Sequence, residues 1–119
     1  RETNQTKNIK FFKNFDPEDY LKLINNSSCI VGNSSSAIRE GSYLGIPAVS
    51  IGTRQQNRER GKNVVTVNYD SKKIKAAIIS RIKMRKFKSE KIYGKGDAGK
   101  KISKILSKVN IQIQKKLNY

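Results

Sequence analysis

Three short apolar runs, each followed by a turn or a polar stretch, constrain this chain more than any other feature. Cys29-Ile30-Val31 runs into Gly32, Pro47 to Ile51 runs into Gly52, and Val64 to Val67 stands beyond a polar loop from Thr53 to Lys62. Runs this short are below the length of a stable helix and fit buried strands. Helical patterns separate and follow them. Asp16-Pro17-Glu18-Asp19 writes a helix start, with Asp16 as N-cap, Pro17 at the first helical position and acids in the first turn. Tyr20, Leu21, Leu23 and Ile24 give that helix an apolar face, and Asn25-Asn26 ends it. Ser34 to Leu44 reads as one helix, stopped by Gly45. Further on, Ile74, Ala77, Ile78 and Ile82 form a stripe, as do Ile102, Ile105, Leu106 and Val109, and both stripes are expected to face the core. Between them Tyr93 to Asp97 is a turn, with Asp97 as the next N-cap, and Ile9 to Phe12 is expected to be a first strand. Strands alternating with helices predict right-handed crossovers. The expected fold is α/β, a Rossmann-like parallel sheet with helices on both faces, forming one domain over residues 1–119 with loose ends at 1–8 and 110–119.

Charge narrows the partners. Lysine and arginine number 26 against 9 acids, a net charge of +17, so an anionic ligand would be attracted. The excess is mostly lysine scattered from Lys72 to Lys108, and aromatic residues are not interleaved with it as base-stacking platforms would be, which makes a nucleic-acid module the least favoured reading. The single cysteine, Cys29, excludes an internal disulfide and reads as a buried strand thiol, fitting a reducing cytoplasm. No run reaches the roughly eighteen apolar residues of a membrane span, and no leader pattern opens the chain, so a soluble cytoplasmic protein is expected. Its start at Arg1 suggests a piece of something longer.

In an open parallel sheet, ligands bind beyond the carboxyl ends of the strands. Three loops qualify: Asn14-Phe15-Asp16, Gly32-Asn33-Ser34-Ser35-Ser36, and Gly52 to Arg58. Ser34, Ser35 and Ser36 open a helix, where free backbone N–H groups and small hydroxyls suit a diphosphate; plain helix capping explains the serines equally well. Glu40, one turn beyond Ser36, is placed to accept hydrogen bonds from ribose hydroxyls, or to pair with a surface cation. Arg54 and, less firmly, Arg58 can clamp phosphate oxygens, although Arg60 and Glu59 beside them also suit ordinary surface. The chain has no histidine, no metal-ligand spacing and no dinucleotide-binding glycine fingerprint, so no catalytic residue, metal or cofactor is assigned to it.

Taken in order, Gly32-Asn33-Ser34-Ser35-Ser36-Ala37-Ile38-Arg39-Glu40, Gly45-Ile46-Pro47-Ala48-Val49, Gly52-Thr53-Arg54-Gln55, Arg58-Glu59, Asn63-Val64 and Lys91 to Ala98 resemble the hydrolysing UDP-N-acetylglucosamine 2-epimerases over roughly residues 9–109. The non-hydrolysing branch typically carries a Ser-Gly-Gly turn and a Thr-Glu-Arg-Pro-Glu segment that this chain lacks. The resemblance implies a two-domain fold of the glycosyltransferase-B type, with this chain as the C-terminal, UDP-holding half and the N-terminal catalytic half missing. It implies that Ser34 and Ser35 contact the diphosphate, Glu40 the ribose and Arg54 a phosphate, with Phe15 meeting uracil through its backbone. The expected partners are a UDP-sugar (UDP-N-acetylglucosamine or a related UDP-diacetamido sugar), the missing N-terminal half, and a second copy in a homo-oligomer. The donor half of another UDP-sugar glycosyltransferase is the alternative.

Overall fold

The computed structural model describes residues 8–110; most of the two expected loose ends lie outside that range. Helix α1 spans Pro17–Asn25, strand β1 Ile30–Gly32, a 3₁₀ turn Ser35–Ala37, helix α2 Glu40–Leu44, strand β2 Ala48–Ile51 and strand β3 Val64–Val67. Helices α3, Ser71–Lys83, and α4, Ala98–Leu106, follow. The strands form a parallel sheet in the order β1-β2-β3, with Ile30 level with Ala48 and Ala48 level with Val64. This is the Rossmann-like α/β architecture that the alternating pattern predicts.

The central strand is covered on both faces. Residues at one register position share a face, and Ile30, Ala48 and Val64 pack there with Ala37 and Ile38 from the 3₁₀ turn. Val49 points to the other face and is also fully buried, and α3 is the helix that packs on β2 and β3. A continuous apolar run in β2 therefore has a physical cause: neither of its faces meets water.

One buried amide organises the layer of α2. Asn63, only 1% exposed, donates through Nδ2 to the carbonyl oxygens of Ile46 at 2.8 Å and Ala37 at 3.2 Å, while its Oδ1 accepts from the Ser42 hydroxyl at 2.8 Å. The expected single helix from Ser34 to Leu44 is consequently broken. A continuous helix would use the Ala37 carbonyl for the N–H of Gly41, but the Asn63 amide takes it, and Ile38 and Arg39 both donate to Ser35 instead, at 3.0 and 2.9 Å. Gly41 fits beneath this knot because a Cβ there would lie 3.2 Å from both the Ile30 side chain and the Ser36 carbonyl. The helix stop is as predicted: Gly45 is left-handed at φ 70°, and the backbone of Phe87 occupies the space a Cβ would need.

Three other expectations are corrected. Ile9 to Phe12 form no strand; Phe11 is 84% exposed, and a short apolar-rich run without a neighbouring strand has nothing to hydrogen-bond with. The stripe of α4 is not core, since Ile102, Ile105, Leu106 and Val109 are all exposed and no described element covers them. Asp16 and Asp97 hold the N-cap positions without capping through their side chains, and Asp97 pairs with Lys101 at 2.9 Å instead. The cap that does form is at α3, where Asp70 accepts from the N–H groups of Lys72 and Lys73 at 2.9 and 3.1 Å.

Replacing Asn63 by Ala would strand a buried hydroxyl and two carbonyls. We expect Asn63→Ala to lower unfolding free energy by about 2–4 kcal/mol, measured by urea denaturation; an unchanged midpoint would refute the organising role of this amide.

Candidate functional site

Parallel strands bring the loops after β1 and β2 to the same edge of the sheet, and hydrogen bonds join them. Gln55, 5% exposed, donates from Nε2 to the Asn33 carbonyl oxygen at 2.8 Å, and Arg54 Nη1 reaches Asn33 Oδ1 at 3.4 Å. On the other side of the same loop Tyr20, from α1, donates its hydroxyl to Ser36 Oγ at 2.9 Å. Ser34 Oγ also donates to Ser36 Oγ, at 3.3 Å, and accepts from the Ser36 N–H. With two donors already directed at it, the Ser36 oxygen has its own proton to offer outward.

The edge is therefore built of donors: serine hydroxyls, the guanidinium of Arg54 and backbone N–H groups, with no carboxylate bonded among them. Such a set favours a negatively charged oxygen ligand. The 3₁₀ turn limits the helix-dipole argument, because a single short turn has little of the aligned peptide array that a long helix carries. The hydroxyls and Arg54 carry more of the attraction than the sequence pattern implies.

The sequence-predicted residues divide into two groups. Ser34, Ser36 and Arg54 come together at the edge, and Ser35 stands between the two serines as the first residue of the 3₁₀ turn. Phe15 joins this group indirectly. It does not end a strand, since none precedes it, but its ring lies 4.7 Å from Phe12 and 6.2 Å from Tyr20, the residue that holds Ser36. Glu40 does not sit one continuous helical turn behind Ser36, because the chain kinks at Ile38 and Arg39. It lines a separate cleft with Leu21, Tyr43 and the segment from Glu90 to Gly96, and its Oε2 is buried without a hydrogen-bond partner. Arg58 is exposed, and its guanidinium makes no hydrogen bond among the described residues. Arg60 is structural: its guanidinium bonds Thr66 Oγ1 and, at 2.9 Å, the Gln55 carbonyl.

Tyr20, Asn33 and Gln55 are the site-building residues that sequence reasoning missed. Tyr20 is absorbed there into an apolar helix face, yet a tyrosine half-buried on such a face still needs a partner for its hydroxyl. Cys29 immediately precedes β1, at the opposite, amino end of the strand. Burial pushes its thiol above the ordinary value, only partly offset by nearby Arg81 and a backbone hydrogen bond from Val49; the expected buried strand thiol is corrected, because Cys29 stands just before the strand and is half-buried.

A three-stranded parallel sheet with polar loops gathered at its carboxyl edge defines a Rossmann-like unit. The sequence model of the UDP-N-acetylglucosamine 2-epimerase family matches residues 1–107, and the chain belongs to that family. It is 38% identical over 80 residues to the UDP-N-acetylglucosamine 2-epimerase of Neisseria meningitidis serogroup B, a match covering 67% of this chain and 21% of that protein. It is also 27% identical over 106 residues to the hydrolysing UDP-N,N'-diacetylbacillosamine 2-epimerase of Legionella pneumophila, covering 89% of this chain and 28% of that protein. A 50-residue stretch is 44% identical to the polysialic acid biosynthesis protein P7 of Escherichia coli, covering 42% of this chain and 13% of that protein. The chain thus spans about a quarter of the length of the Neisseria and Legionella relatives. No helix among the described residues is long and apolar enough to cross a membrane, and no group of acids and cysteine among them could hold a metal ion.

Gln55 docks one loop on the other through a single amide. Gln55→Leu keeps the volume and removes the donor, so we expect about 1 kcal/mol of lost stability, together with faster hydrogen exchange at Gly52 to Arg58. Unaltered exchange in that loop would show that the Asn33 bond does not hold it.

Proposed function

We propose that this chain is the UDP-holding C-terminal half of a hydrolysing UDP-N-acetylglucosamine 2-epimerase, within a two-domain fold of the glycosyltransferase-B type. The observation that carries the reading is the joining of the Ser34–Ser36 loop to the Arg54 loop through Asn33, in a chain of this family. The hydrolysing assignment draws support from relatives that bear that word in their names.

In this reaction a proton leaves C2 of the sugar while the C1–O bond breaks, releasing UDP and a 2-acetamidoglucal. Water then adds across the double bond to give N-acetylmannosamine. The difficult charge is the one that builds on the departing diphosphate. Ser34, Ser35 and Ser36 donate to its oxygens, and Arg54 neutralises part of its charge, so binding strengthens as the bond to C1 breaks. Glu40 accepts from the ribose, Phe15 meets the base, and Arg58 is a further phosphate contact from the exposed end of its loop. The acid and base that act at C2 and on water come from the N-terminal half, since a chain with no histidine and no paired carboxylates at its donor edge offers neither. The sugar is UDP-N-acetylglucosamine or a UDP-diacetamido relative, the latter suggested by the substrate in the Legionella enzyme's name.

Two outcomes are expected. Arg54→Ala should weaken UDP binding by roughly 1–3 kcal/mol, the range for hydrogen bonds to charged groups, and calorimetry showing equal affinity would remove Arg54 from the site. The chain by itself should release no N-acetylmannosamine from UDP-N-acetylglucosamine; measurable turnover in a coupled assay would end the half-enzyme reading.

A further inference from the structure

The amino end of the sheet, opposite the serine–arginine edge, holds a second cleft of about 220 Å³, between the residues that precede β1 and β2 and the end of α3. Its apolar lining is Pro47 and Ile82, and its polar groups come from Ser27, Ser28, Arg85 and Lys86. No carboxylate lines it, and the sequence carries no acid from Ser71 to Ser89. The cations here are of two kinds. Arg81 and Lys83 lie in the last turn of α3, where positive charge offsets the negative helix end. Arg81 is engaged besides: its Nη1 donates to the Lys62 carbonyl at 3.1 Å, and its guanidinium lies 5.3 Å from the centre of the Phe87 ring. Arg85 and Lys86 come after the helix has ended. The exposed Arg85 guanidinium and the Ser28 hydroxyl make no hydrogen bond among the described residues. Lys86 Nζ donates once, to Asn25 Oδ1 at 2.8 Å, and keeps two N–H groups.

The backbone of Arg85 supplies an independent observation. Its φ is 58°, in the left-handed region where a Cβ is strained and glycine is not. Arg85 ends α3 in the conformation that Gly45, at φ 70°, uses to end α2. Glycine would make this turn with less strain, so the reason for arginine lies in its side chain. The turn is held from both sides, since the Arg85 N–H donates to the Ile82 carbonyl at 3.4 Å and the Phe87 N–H to the Gly45 carbonyl at 2.8 Å. The last carbonyls of α1, which would repel an anion, are already occupied. Lys22 accepts from the Asn26 N–H and Nδ2, and Ile24 from the Ser27 N–H and hydroxyl.

We propose that this cleft is a second anion site, separate from the nucleotide edge, and that it takes a phosphate group borne by inorganic phosphate or a phosphate monoester. Arg85 and Lys86 match the charge of a dianion, and Ser28 adds a neutral donor from the segment across the cleft. Donors converging from two segments suit a tetrahedral oxyanion better than a planar carboxylate.

Amide spectra of the labelled full chain test this by titration with inorganic phosphate, glycerol 3-phosphate and acetate. The Ser28, Arg85 and Lys86 amides should shift saturably with a phosphate probe, and whichever probe saturates names the source. The same shifts should persist in Arg54→Ala, whose change lies at the other end of the sheet; their loss there would overturn a separate site. Arg85→Gly gives the sharpest contrast. Glycine suits a φ of 58°, so the thermal midpoint should hold or rise while phosphate affinity falls by roughly tenfold or more, as for one charged hydrogen bond. Undiminished phosphate affinity in Arg85→Gly would overturn the proposal, and a lowered midpoint would make Arg85 a structural residue and overturn it equally. Shifts that never saturate and spread over the lysines of α3 and α4 would reduce the site to diffuse attraction. Acetate binding as tightly as phosphate would overturn the ligand class.

Discussion

The side chain of Asn63 lies where water does not reach, and three polar groups depend on it. A buried carbonyl or hydroxyl without a partner costs on the order of 1–3 kcal/mol, and this one amide supplies partners for the Ala37 and Ile46 carbonyls and the Ser42 hydroxyl. Those groups come from the turn before α2, the link into β2 and α2 itself, while Asn63 stands immediately before β3. The amide therefore fixes the relative placement of four segments that the apolar core alone would leave free to slide. Its surroundings are correspondingly tight: Gly61 approaches so closely that a Cβ there would come within 2.8 Å of Asn63 Oδ1 and of Ser42 Oγ.

The placement of the site follows from that knot. Because Asn63 takes the Ala37 carbonyl, the helix after the serines breaks, and the serines and Glu40 point into different spaces. Ser34 and Ser36 remain at the carboxyl edge, joined to Arg54 by Asn33 and backed by Tyr20. Glu40 begins a new helix and lines the cleft beside Tyr93. A single straight helix would have stacked the two on one face. The break separates the serines from Glu40, which lines a different cleft.

Charge and apolar surface are distributed in a way that composition does not reveal. Only eight of the 26 basic residues lie on α3 and α4, while the edge formed by the loops after β1 and β2 presents hydroxyls, amides and Arg54. The bare apolar stripe of α4 has the period of a core helix and none of the burial. Periodicity reports which residues would share a face, and says nothing of whether the rest of this chain covers it.

The sequence by itself determined three strands, each within one residue of its observed bounds, the helix starting at Pro17, the left-handed stop at Gly45 and the parallel α/β class. Each of these rests on local chemistry: apolar runs of strand length, a proline at a first helical position, a glycine where a Cβ has no room. The loops bearing Ser34–Ser36 and Arg54 were legible too, because parallel strands place their carboxyl ends on one edge whatever the side chains are. The tertiary structure alone decided that Ile9 to Phe12 find no strand partner, that the helix after the serines breaks, and that Gln55, Asn33 and Tyr20 join the loops. These depend on which donor meets which acceptor across 16 to 26 residues of chain, and a hydrogen bond of that span leaves no period or local signature in the sequence.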